Sequence, residues 1–226
     1  MKDRILPDHW SYRPDTWDWN IFDSVCIHNE YALPNPLPAN SLVVDIGAHI
    51  GSFCWAVHTL GAAAIVAIEM QSDNVQHLLK NLAPIPRHFV WHCAAWNDHD
   101  ETQLHEPTTL GVNTGGGGVF SGDGRTVLAI PISRIIRHAV GWSGIERVRL
   151  MKLDCEGSEY PILLGADLSL VDAVCGELHD GVHWGDRVWT HRDVVEMLTA
   201  AGFSLRVTPT APGFWHLWAD KPSFYQ

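Results

Sequence analysis

Lysine is scarce in this chain: there are four among 226 residues, beside 14 His and 11 Trp. Lys and Arg together number 15 against 26 Asp and Glu, a formal net charge of −11. Proteins that grip phosphate backbones without sequence preference carry the opposite balance. The composition therefore argues against nucleic acid and anionic membrane surfaces as partners. No stretch approaches the roughly 18 uncharged apolar residues that a membrane span needs. The opening residues, MKDRILPDHW, lack the apolar centre of a secretory signal, so a cytoplasmic location is expected. Cysteine is sparse and scattered, at 26, 54, 93, 155 and 175, with no C-x-x-C pair. That spacing excludes a disulfide framework and a zinc knuckle and leaves free thiols. Charged residues make up only 18% and apolar ones 46%, which excludes a disordered chain and supplies a full core.

What is present is regular after residue 40. Residues 1–40 read as an arm, with Trp10, Trp17 and Trp19 followed by Pro34, Pro36 and Pro38. Alternating prolines fit neither a helix interior nor a central strand, so the arm is expected to pack on the domain or to lid a site. Residues 41–226 form the expected domain. Short β-branched runs (41–47, 64–70, 89–96, 149–157, 172–179) read as buried strands, and 52–62, 72–83 and 191–203 read as helices. Ser72 is the expected N-cap of the second helix, with Val75, Leu78, Leu79 and Leu82 inward, and Gly202 stops the last. Two closing strands form an expected antiparallel pair. The fold class is α/β, a doubly wound and mostly parallel sheet whose ligands lie at the carboxyl ends of its strands. The run GVNTGGGGVFSGDGR (111–125), with Gly115 to Gly118 at its centre, reads as a mobile loop.

Two strand ends carry the chemistry. In VVDIGAHIGSF, Asp45, Gly47 and Gly51 stand where a strand hands over to a helix. Glycines there admit a ligand to the backbone, but the spacing is not G-x-G-x-x-G, and the Asp45 carboxylate repels a pyrophosphate while suiting a cationic amino group. Glu69 ends the next strand, 18 residues after Gly51, where an acid accepts hydrogen bonds from two ribose hydroxyls. A ligand with a ribose, an amino group and no phosphate is S-adenosylmethionine.

VVDIGAHIGSF, AIEMQSDNVQHLLKNL, MKLDCEGSEYPILLGA and GELH, in this order, resemble the FkbM-type family of class I S-adenosylmethionine-dependent methyltransferases over roughly residues 30–220. The resemblance implies a Rossmann-like seven-stranded sheet and O-methylation of a hydroxyl on a sugar or natural-product scaffold. It places Asp45, Gly47 and Gly51 in the methionine-binding loop and Glu69 on the ribose, with Met70 beside it. Ala94 and Ala95 fall beside the adenine, and Asp154, Glu156, Gly157 and Glu159 in the D-x-E-G-x-E signature. Glu30 matches an acid ahead of the first strand, and His49 stands where members commonly have Asn.

Methyl transfer is an in-line displacement, and a hydroxyl is a poor nucleophile, so a base or a metal must assist. Asp154, Glu177 and His179 fall at strand ends facing the expected crevice. In one reading His179 or His183 takes the hydroxyl proton while a carboxylate orients it. In the other, Asp154 and Glu177 hold a divalent cation such as Mg²⁺. Glu159 also suits a helix N-terminus, and Trp184 and Trp189 suit either a substrate wall or packing. The expected partner is a small-molecule hydroxyl substrate, and a partner surface for oligomerisation stays open.

Overall fold

The computed structural model describes residues 6–98, 103–107, 111–121 and 123–226. Its centre is a seven-stranded sheet. Strands β1 (Leu42–Ile46), β2 (Ala64–Glu69) and β3 (His88–His92) run to one side, in chain order. Two short strands follow, β4 (Ala94–Trp96) and β5 (Gln103–His105), then β6 (Thr126–Pro131), β7 (Val148–Leu153) and β8 (Ala173–His179). The hairpin β9 (Val182–Trp184) and β10 (Arg187–Trp189) precedes β11 (Ser204–Ala211) and β12 (Phe214–Asp220). The sheet order is β3-β2-β1-β7-β8-β12-β11, parallel except for β12, which pairs antiparallel with both neighbours. The strand order reverses between β1 and β7, so the crevice of a doubly wound sheet opens above their carboxyl ends. The expected class and the closing antiparallel pair are both present.

Strand residues alternate between two cores. Val44, Ile46, Val66, Ile68, Met151 and Leu153 pack with α4 (Ile132–Ser143), α5 (Glu159–Leu163) and α6 (His191–Ala200). Val43, Ile65, Ala67 and Leu150 pack on the other face with α2 (Ser52–Thr59) and α3 (Ser72–Leu82). Each fully buried Val, Leu or Ile contributes about 1.5–3 kcal/mol. The short α1 (Asp18–Phe22) and the π-turn after it, Asp23–Ile27, belong to the arm. Trp10 and Phe22 are buried against Ile50, with Trp55 half-buried beside them, whereas Trp17 and Trp19 are exposed.

Four details differ from the sequence reading. The run 89–96 is two strands: β3 ends at His92, and β4 leaves the sheet to pair with β6. Helix α4 fills a stretch where no element was expected, although Ile132, Ile135, Ile136 and Ala139 recur at helical spacing. Ser72 is the first helical residue of α3, not its cap. Its amide and hydroxyl both donate to the Glu106 carboxylate, at 2.7 and 2.9 Å, which places an acid at the positive end of the helix. Leu79 faces solvent, because α3 needs only Val75, Leu78 and Leu82 to cover β2.

Candidate active site

Two cavities open at the carboxyl ends of the parallel strands. The first is lined by Gly47, His49, Glu69, Met70, Gln71, Asn74, Ala94, Ala95, Ser158 and neighbouring apolar side chains. Glu69 is buried at its floor. One carboxylate oxygen accepts the His49 amide at 2.7 Å and the other the Gln71 amide at 2.8 Å. Burial still outweighs these bonds and pushes Glu69 up to about 7. Gln71 Nε2, Ser158 Oγ and His49 Nδ1 are buried with no hydrogen-bond partner among the described residues, so the wall offers polar atoms to a polar ligand.

Gly47 explains itself at this point. Its φ is +78°, and a Cβ there would lie 2.0 Å from the Asp154 carbonyl oxygen. Gly51 has φ +99°, and its missing side chain makes room for Leu78 and Leu82, so it serves helix packing and not a ligand. His49 is left-handed too, at φ +52°, a conformation that Asn and His adopt more readily than most side chains.

The second cavity, about 270 Å³, is lined by Trp17, Asn20, Glu30, Tyr31, Ser52, Asn113, Lys152, Glu177 and His216. Gly47, His49, Gly115, Asp154 and Glu156 line both, so the cavities share one wall. Glu156 is also left-handed, at φ +53°. Such strain in a non-glycine residue concentrates at functional sites.

Beneath that wall lies a buried charge cluster that the sequence reading missed. Lys152 Nζ donates to the Gly47 carbonyl at 2.8 Å and lies 3.4 Å from Asp45 Oδ1 and 3.7 Å from Asp154 Oδ2. Burial favours a neutral amine, but the two carboxylates outweigh it and hold Lys152 charged. Tyr31 donates its hydroxyl to Asp154 Oδ2 at 2.6 Å. A lysine inside the strand run MKLD was the available signal, since a charge in a buried strand requires a partner.

Asp45 is placed apart from both cavities. Its side chain is wholly buried, accepts the Cys54 thiol and faces Lys152; it lines neither cavity. Alternation along β1 turns Asp45 with Val43 toward α2. Another polar cluster was also unforeseen. Arg13 and Thr114 both bind Asp18, Thr114 Oγ1 lies 2.9 Å from His49 Nε2, and Asn74 binds Arg13 and the Thr114 carbonyl. Burial would raise Asp18, but His49, Arg13 and Thr114 hold it well below the carboxylate range. This cluster ties the arm to the glycine run: Trp17 N–H donates to the Val112 carbonyl at 2.9 Å.

His179 lies 3.4 Å from both Glu156 Oε2 and Glu159 Oε1 and 3.8 Å from Glu177 Oε2. These approaches suit ion pairing but are not aligned as hydrogen bonds. Burial disfavours its charge, yet Glu156 and Glu159 outweigh that and lift His179 to about 11. A protonated imidazole has no lone pair for a hydroxyl proton, so His179 does not fit the expected base. His183 is exposed on β9, in a hairpin away from both cavities, and is not brought into the site. Trp184 and Trp189 pack on each other, with ring centres 5.5 Å apart. Trp184 also meets Trp96, and so they serve the core. Glu177 does reach the second cavity. Burial and the nearby Asp154 charge push it up to about 7 despite His179. Burial, then Asp154, raises Glu30 to about 7 against the pull of Lys152.

Residues 45–205 match the family model of the methyltransferase FkbM domain. The chain belongs to the FkbM methyltransferase family. Transfer of a methyl group from S-adenosylmethionine is the chemistry of this family. A crystal structure of an FkbM methyltransferase from Methylobacillus flagellatus superposes with a TM-score of 0.51 at 19% identity, covering 80% of this chain and 43% of that one. That likeness shows a shared fold. An S-adenosylmethionine-dependent methyltransferase from Aquifex aeolicus aligns at TM-score 0.47 and 12% identity over 92% and 93% of the two chains. An rRNA methylase from Streptococcus thermophilus aligns at 0.46 and 12% over 87% and 96%. No curated protein matches the sequence. No helix among the described residues of this FkbM-family chain is long and apolar enough to cross a membrane.

Proposed function

We propose that this protein transfers the methyl group of S-adenosylmethionine to a hydroxyl of a small molecule such as a sugar or natural-product scaffold. The observation that carries the reading is the wall shared by the two cavities, which lets a cofactor in one and an acceptor in the other meet beside Gly47 and Asp154. The first cavity fits the cofactor. Glu69 would accept the ribose hydroxyls, Gln71 and Ser158 would meet the adenine edge between Met70, Ala94 and Ala95, and Gly47 and His49 would border the methionine end. Bound S-adenosylmethionine supplies an electrophilic methyl group on a sulfonium.

The chain's own task is to hold the acceptor oxygen in line and take its proton. Glu30 is placed for the second duty. It lines the acceptor cavity and is held at about 7, near the pH at which a general base works best. Glu177 faces the same cavity. Tyr31 and Lys152 fix Asp154 from the other side, so Asp154 orients the acceptor and does not move protons. Trp17, Asn20 and Ile21 of the arm supply an outer wall, and Thr114 anchors the glycine run over the cofactor cavity as a lid. The net charge of −11 favours a small acceptor over RNA.

Two measurements test the reading. Calorimetric titration with S-adenosylhomocysteine should show one-to-one binding that Glu69→Ala weakens at least tenfold, and no binding would sink it. With labelled S-adenosylmethionine and a fractionated extract, label should enter the small-molecule fraction and depend on Glu30. Label in RNA would overturn the acceptor class.

A further inference from the structure

Asp154, Glu159 and His179 each present a ligand atom within 4.8 Å of the other two. They come from the end of β7, the start of α5 and the end of β8. The Asp154–Glu177 pair expected from sequence has a different composition: two carboxylates and no nitrogen. Glu159 is wholly buried, and its Oε2 has no hydrogen-bond partner among the described residues. Both ring nitrogens of His179 are buried with no aligned hydrogen bond and face Glu159 Oε1 and Glu156 Oε2 at 3.4 Å. Burying an oxygen such as Glu159 Oε2 costs about 1–3 kcal/mol when nothing satisfies it. Glu159 Oε1 is already used, accepting the Cys155 amide at 2.7 Å and the Gly157 amide at 3.3 Å, which fixes the carboxylate in place. Asp154 is held through Oδ2 by Tyr31 and Lys152. The β8 backbone fixes His179 too, because Tyr160 donates its hydroxyl to the His179 carbonyl.

We propose that Asp154, Glu159 and His179 form a binding site for a borderline divalent transition ion of the Zn²⁺ or Co²⁺ type. The ion takes the place of the proton that His179 carries in its absence, and one imidazole with two carboxylates selects such an ion over Mg²⁺, which prefers an all-oxygen shell. The ligands are preordered by neighbours that an ion need not displace: two backbone amides on Glu159 and a tyrosine on Asp154. Glu156 and Glu177 flank His179 at 3.4 and 3.8 Å and complete the acidic surroundings. Asp154 is the member that also lines both cavities, so an ion here would sit directly behind the shared wall. The site stands apart from the identity of the methyl acceptor.

The test uses the full chain stripped with a chelator, without cofactor or acceptor, titrated calorimetrically with ZnCl₂, MnCl₂ and MgCl₂. The expected result is one ion per chain, with Zn²⁺ at least tenfold tighter than Mg²⁺ and Mn²⁺ between them. His179→Ala and Glu159→Gln should each weaken binding tenfold or more. Glu177→Gln should change it less than threefold. Because Glu159 also anchors a loop, His179→Ala carries the decision. In the Co²⁺-loaded protein this variant should lose the imidazole-dependent visible absorption while keeping its far-ultraviolet dichroism. No binding at 1 mM, equal binding by the His179→Ala variant, or tighter Mg²⁺ binding would overturn the proposal. A separate titration with S-adenosylhomocysteine reads the cofactor site, so failure of either claim leaves the other standing.

Discussion

The two cavities differ in how they are assembled. The first cavity is built from strand ends and the turns that follow them: Gly47 and His49 after β1, Glu69 to Gln71 at the end of β2, Ala94 and Ala95 after β3. Its acid, Glu69, is held by backbone amides. The second cavity draws on the arm, the glycine run, β7, β8 and β12, and its charges are held by other charges. Backbone-held chemistry is local and can be read from a motif. Charge-held chemistry depends on which distant segments meet, and it reacts sharply when one member is removed.

The largest break is expected where the two sides touch. Gly47→Ala forces a Cβ into the Asp154 carbonyl at a positive φ, and urea unfolding should show a loss of about 3 kcal/mol or more, with cofactor binding abolished. A tolerated alanine would show that β1 and β7 can separate at this point. Next comes Lys152→Met. It leaves Asp45 and Asp154 buried without their cation, and should cost about 3–5 kcal/mol, while Asn at position 45 as well should recover part of that loss. If the single variant is as stable as the parent, the second cavity is not charge-held.

Glu30→Gln sharpens the contrast through pH. The carboxyl of Glu30 is raised from 4.5 to about 7 on folding, so the unfolded chain gives up its proton first. The folded state is therefore favoured fully below about 4.5 and loses that advantage as pH rises to about 7. The variant should match the parent near pH 4.5, melt at a higher temperature at pH 8, and still lose turnover. A melting difference that does not change with pH would remove Glu30 from the acidic wall. The smallest effect belongs to the lid. Thr114→Val removes the hydroxyl shared by Asp18 and His49, at about 1–2 kcal/mol, and should speed amide exchange across residues 111–118 more than in β1. Equal protection would mean the glycine run is held without that hydroxyl.

Much of the fold was legible because it rests on local rules. Continuous β-branched runs such as Leu42–Ile46 and Ala64–Glu69 bury both faces and read as parallel strands. The closing pair, β11 and β12, was equally plain. Splitting of the 89–96 run was not, because the residues of β4 are as apolar as those of β3 and only β6 draws them away. Gly47, Glu69, Met70, Ala94 and Ala95, which the motifs single out, line one cavity. Asp45 and His179 carried the right chemistry on the wrong side: one faces Lys152 under the wall, the other is enclosed by Glu156, Glu159 and Glu177. His183 is exposed in the hairpin and lines neither cavity.

By itself the sequence determined the sheet, the strand ends that face a ligand and the family to which they belong, since side-chain period and motif spacing act over a few residues. Only the tertiary structure decided which ionisable groups meet. Tyr31 and Asp154 are 123 positions apart and share a 2.6 Å hydrogen bond, and Lys152 reaches a carbonyl 105 positions away. Those meetings set the proton affinities of Glu30, Asp154 and His179, because in a buried site a charge responds to its neighbours within a few ångströms and not to its neighbours in the chain.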